Sequence, residues 1–145
     1  AQQGYEITMR APYGLKHDSY FYYVIKLKIK CLINNISRMK KDDRNFHIYL
    51  EDIMISMKRI IEYIGDIDFE EFKENNMIVD AVVRNFEIIG EATKNLPNYL
   101  KNRHSEMPWR KMYGLRNIVS HEYFGIDYEM IWEIAKKTYL TTSKK

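Results

Sequence analysis

From Phe46 to Ile64 apolar side chains return at three- and four-residue spacing: Phe46, Tyr49, Leu50, Ile53, Met57, Ile60, Ile61 and Ile64. An α-helix turns once every 3.6 residues, so this set forms one stripe that must be buried against other elements. Asp42 or Asp43 can cap the start, and Gly65 is suited to the end. Asp68 can cap a short piece over Phe69 to Lys73, and a second long helix is expected from about Met77 to Asn95. Its inward face would hold Ile78, Ala81, Val82, Phe86, Ile89 and Thr93, and Pro97 stops it. A polar connection with Lys101, Arg103 and His104 follows. The third helix is expected to start at Pro108, where proline is tolerated, and to run through Trp109, Met112, Leu115, Val119 and Tyr123 to Gly125. A fourth begins near Asp127, with Met130, Ile131, Ile134 and Leu140 inward and basic residues toward its end. Helices of this length with short connections predict an all-α fold, an antiparallel up-down four-helix bundle.

A chain of 145 residues with 46% apolar and 30% charged residues suits one globular domain with a hydrophobic core. The expected boundaries are an irregular N-terminal extension over residues 1–38 and the bundle over 39–145. Gly4, Pro12 and Gly14 break the extension, whose composition and abrupt end at Met39 favour vector-derived or translated upstream sequence over a genuine appendage that reaches a partner. Val24 to Lys30 alternates apolar with basic residues, the period of a half-buried strand, and a helix through Asn35 fits the same residues. The extension holds six Lys or Arg against two acidic residues, which leaves 17 against 18 for the rest, so the overall +3 originates there. Lys26, Lys28 and Lys30 interrupt the most apolar run, which excludes a membrane span, and no signal-peptide pattern appears. With Cys31 as the only cysteine, a cytoplasmic location is expected.

The chemistry concentrates in Arg116-Asn117-Ile118-Val119-Ser120-His121-Glu122-Tyr123. Arginine carries a permanent charge on a planar fork that matches phosphate oxygens, and histidine exchanges protons near neutrality. RNA cleavage without a metal needs those groups. In a straight helix Arg116 and His121 would stand roughly 140° apart, whereas Asn117 and His121 would stack. His17, His47 and His104 are dispersed, so no metal site is expected, and no glycine-rich phosphate loop appears. Glu87 and Glu91, one turn apart on the second helix, could coordinate a cation or act as a general base, but with Arg84 they better suit a polar network that positions the third. Trp109 and Trp132 read as core.

The stretches Tyr49 to Ile53, Arg84 to Ala92 and Arg116 to Tyr123 together resemble the HepT-like branch of the HEPN proteins, helical-bundle ribonucleases that act as toxins of prokaryotic toxin-antitoxin pairs. The last stretch fits the family pattern of arginine, four residues, histidine, any residue, tyrosine. The resemblance implies Arg116 and His121 as the catalytic pair, with Asn117 orienting His121 or binding phosphate. It also implies a homodimer with a shared cleft, an RNA substrate cut by its own 2'-hydroxyl to a 2',3'-cyclic phosphate, and no cofactor. Tyr123 would be the residue that a partner nucleotidyltransferase antitoxin adenylylates; chemically it suits a packed aromatic equally well. The competing reading is a non-catalytic HEPN module that binds a nucleotidyltransferase or a nucleotide.

Overall fold

The computed structural model describes residues 27–34, 46–118 and 125–139, and the elements among them are helical. The first apolar period becomes α1 (His47–Ile64), with Leu50, Ile53, Met57, Ile60 and Ile64 buried and Ile61 half-buried. Asp42 and Asp43, the expected caps, lie outside the described residues. Gly65 ends α1 at φ +44°, a left-handed value that a side chain would strain, and its N–H donates to the Ile61 carbonyl at 3.0 Å.

Reciprocal capping starts α2 (Phe69–Glu74). The Asp68 carboxylate accepts from the Glu71 N–H at 2.9 Å, and the Glu71 carboxylate accepts from the Asp68 N–H at 3.2 Å. Asn75 caps α3 (Asn76–Asn95) by accepting from the Ile78 N–H at 3.2 Å. The buried face of α3 is Val79, Val82, Asn85, Phe86, Ile89, Gly90, Ala92 and Thr93; Ile78 and Ala81, expected in the core, are its half-buried flanks. Asn85 and Thr93 sit there because each donates to a carbonyl one turn back, Ala81 and Ile89, at 2.7 Å.

Two expectations need correction. The connection after Pro97 contains a helix, α4 (Asn98–Arg103), because Pro97 has the extended backbone of a helix entry and Leu100 reaches the core. One anchor residue leaves no period to read. The third helix is not one rod: α5 (Trp109–Gly114) passes into a 3-10 turn over residues 115–118. Gly114 weakens the α-helix there, and the Leu115 N–H bonds back to Met112, three residues away. Asp127 caps α6 (Tyr128–Tyr139) by accepting from the Met130 N–H at 2.9 Å. Among the described side chains of α6, Ile131 and Ala135 are buried and Ile134 is half-buried, whereas Met130, expected inward, is exposed because it stands about 100° around the helix from Ile131; Leu140 lies outside the described residues.

α1 packs along α3, both pack against α6, and α5 lies on α3. Trp132 of α6 closes one end against Phe72, with ring centroids 5.1 Å apart. Buried Trp109 donates its indole N–H to the His104 carbonyl at 2.8 Å. Among the described residues no helix is long and apolar enough to cross a membrane.

Residues 27–34 are helical, which decides between the two readings of their alternation, and Ile29 and Leu32 join the core. Lys28 reaches Glu106 at 3.2 Å. Burial pushes the Glu106 carboxyl upward, but its own backbone N–H and Lys28 outweigh that and hold it below the ordinary range. A lowered folded value stabilises the protein above the unfolded carboxylate pKa of about 4.3, and that contribution disappears as pH falls through the folded value. Between about pH 5 and pH 3 the Tm of the natural chain should therefore fall more than that of Glu106→Gln. The pair is largely exposed, so the difference will be small.

Candidate functional site

Three separated stretches of sequence meet at one groove of about 350 Å³. α1 contributes Tyr49 and Asp52; α3 contributes Arg84, Glu87, Ile88, Glu91, Ala92 and Asn95; the 3-10 turn contributes Arg116. The spacing produces this. Tyr49 and Asp52 are one turn apart, and residues 84, 87, 88, 91 and 95 recur along one side of α3 beside its buried face.

Two ion pairs organise the groove. Arg84 Nη1 lies 3.0 Å from Glu87 Oε2, and Arg116 Nη1 lies 3.4 Å from Glu91 Oε2. Glu91 also faces Asn95 Nδ2 at 3.4 Å and Lys94 Nζ at 3.8 Å. The Arg116 side chain keeps 45% of its surface exposed, so it is held at one edge and open to a ligand at the others. Exposed pairs of this kind contribute about 0–1 kcal/mol, so Glu91 aims the guanidinium more than it stabilises the fold.

Gly90 sets the depth at which Arg116 sits. A Cβ on Gly90 would lie 2.7 Å from Arg116 Cβ, 2.8 Å from Arg116 N and 3.1 Å from the Tyr113 carbonyl oxygen. Only hydrogen at that position lets the 3-10 turn lie directly on α3.

Of the residues singled out from sequence, Arg84, Glu87, Glu91 and Arg116 share the groove. Asn117 is exposed on the same 3-10 turn and does not line it. His121 and Tyr123 lie outside the described residues. The roughly 140° separation of Arg116 and His121 assumed 3.6 residues per turn, and the turn over residues 115–118 has about 3.0. Tyr49, Asp52, Asn95 and Gly90 were missed as site residues. A signal exists for three of them: Tyr49 and Asp52 stand one turn apart in one motif stretch and Gly90 stands in another, but the spacing of Tyr49 marks it only as part of the apolar stripe. Among the described residues no three His, Cys, Asp or Glu side chains converge to hold a metal ion.

An all-α bundle whose groove joins these three stretches around an aimed arginine defines a class, and the sequence comparisons agree with it. The model of the HepT-like ribonuclease family matches residues 53–143, and the chain belongs to that HEPN family. It is 46% identical over 94 residues to a protein of Methanocaldococcus jannaschii provisionally named an RNase, which covers 65% of this chain and 86% of the relative. A Caldanaerobacter subterraneus protein, also provisionally named an RNase, is 44% identical over 61% of this chain and 80% of its own length. A Thermococcus cleftensis protein named "Probable ribonuclease HepT" is 43% identical over 65% of this chain and 86% of its own. No solved structure matches the chain.

Proposed function

We propose that the protein is a metal-independent RNA endonuclease acting as the toxin of a toxin-antitoxin pair. The observation that carries this reading is the placement of Arg116 at the groove, held by Glu91 and still open. In the proposed reaction the ribose 2'-hydroxyl attacks the adjacent phosphorus, and the bond to the departing 5'-oxygen breaks. A base removes the hydroxyl proton, an acid protonates the leaving oxygen, and a cation offsets the charge gathering on phosphorus. Arg116 is the cation and His121 the acid-base group. In an up-down four-helix HEPN bundle paired across a two-fold axis, two histidines can divide the acid and base roles. Asn117 orients His121, and the Arg84, Glu87 and Glu91 network supports the turn that carries Arg116. Adenylylation of Tyr123 by a nucleotidyltransferase antitoxin would silence the site, because added phosphates occupy the cleft and repel RNA. The names of the relatives support ribonuclease activity.

Incubation of the purified chain with RNA, with and without a chelator, tests the reading. Cleavage that resists the chelator and leaves 2',3'-cyclic phosphate ends is expected. Cleavage that stops on chelation, or ends bearing a 5'-phosphate, would overturn it.

A further inference from the structure

One charged side chain of the groove is left uncommitted by its neighbours. Arg84 is paired with Glu87 and Arg116 with Glu91, whereas among the described residues no hydrogen bond or ion pair engages the half-buried Asp52 carboxylate. Tyr49 stands one turn before it on the same helix and lines the same groove. A volume of about 350 Å³ is at the small end of ligand sites and suits a single nucleoside. A run of phosphates does not suit it: three carboxylates against two guanidinium groups line the groove, so a phosphate is favoured only beside an arginine.

We propose that this groove is a nucleoside pocket beside the scissile phosphate and that Asp52 makes it select guanine. The inference rests on the ribonuclease reading for its substrate class. An ionised carboxylate accepts through two oxygens and donates nothing. Guanine is the base that presents two adjacent donors, N1–H and N2–H, on its Watson–Crick edge. Adenine, cytosine and uracil present one donor beside acceptors that a carboxylate repels. Unpaired RNA bases are commonly held by stacking on an aromatic ring while that edge is read, and Tyr49 supplies the ring. Arg116 takes the phosphate.

The test uses single-stranded RNA oligonucleotides carrying one G, A, C, U or inosine. Each is made non-cleavable by 2'-fluoro sugars at every nucleotide, which leaves no 2'-hydroxyl to attack a phosphate, and affinity is measured for the full chain and for Asp52→Asn. The natural chain should bind the guanine form about 5- to 150-fold more tightly than the other three standard bases, the range of one bidentate base contact. Inosine lacks the N2 amine and should lose most of that advantage without any change to the protein, which keeps the test decisive even where Asp52→Asn fails to fold. In folded Asp52→Asn the guanine preference should collapse, and in Tyr49→Leu all five forms should bind more weakly in an unchanged order. Equal binding of all bases, a preference for another base, inosine binding as tightly as guanine, or a guanine preference that survives Asp52→Asn overturns the proposal. All-ribose versions run in parallel separate the two readings. Guanine-selective binding with no cleavage removes the nuclease and keeps the pocket, and cleavage with no base selectivity in binding removes the pocket alone.

Discussion

His121→Ala and Arg116→Ala are each expected to lower the rate of RNA cleavage by about 10²-fold or more and to relieve growth inhibition, with helicity unchanged. Removing the imidazole takes away positioned proton transfer, which contributes about 10²–10⁴-fold, and removing the guanidinium takes away charge stabilisation of about 10²–10³-fold. The two losses should differ in kind. Without His121 the pH profile should lose the limb near neutrality, because the titrating group is gone. Without Arg116 the profile should keep its shape at a lower height. Arg116→Lys restores the charge but not the planar fork, which pairs with Glu91 and in the proposed reaction would also hold phosphate oxygens, so it should recover only part of the rate. Glu91→Gln leaves the cation in place but loosens its aim, and should cost less than Arg116→Ala. Arg116 is nearly half exposed and its ion pair is a surface one, so loss of activity cannot be attributed to collapse of the core. Single-turnover rates with circular dichroism on the same preparations decide the matter. Undiminished cleavage by His121→Ala would remove the catalytic assignment.

The parts of this architecture that were legible in the sequence are those where one physical signal repeats. Leu50, Ile53, Met57, Ile60 and Ile64 share a stripe, so α1 could be read from its period alone, and Gly65 and Asp68 mark ends through conformations and hydrogen bonds local to a few residues. The elements that were not legible depend on contacts between distant residues. α4 forms because Leu100 finds the core, which a single apolar residue in a polar stretch does not announce. The alternation from Val24 to Lys30 left strand and helix both open, and Ile29 and Leu32, three apart, are the pair that the helix over residues 27–34 buries together. The site divides the same way. Arg84, Glu87 and Glu91 share one side of a helix by spacing, whereas the approach of Arg116 to that side depends on what another helix presents.

That presentation centres on Gly90, and Gly90→Ala is expected to destabilise the protein by about 1–3 kcal/mol, a fall in Tm of roughly 3–10 °C, although alanine is the better helix former. In an open helix the substitution would gain up to about 1 kcal/mol. Here the new methyl would meet backbone: Arg116 N at 2.8 Å and the Tyr113 carbonyl oxygen at 3.1 Å, as well as Arg116 Cβ at 2.7 Å. A flexible side-chain tip can swing aside at little cost, but a main-chain nitrogen takes its whole turn with it. The 3-10 segment must therefore lift from α3, and Arg116 must leave Glu91. Gly114 supplies the internal control, since a Cβ there meets nothing within 4 Å and its φ is not positive. Gly114→Ala should leave Tm unchanged or raise it. The coupling also orders the functional result: Gly90→Ala should lose more cleavage than its stability loss accounts for at a temperature where it stays folded, and a second change of Arg116 to Ala should then cost far less than it does alone. A Gly90→Ala protein as stable and as active as the natural chain would show that the turn carrying Arg116 does not rest on this glycine.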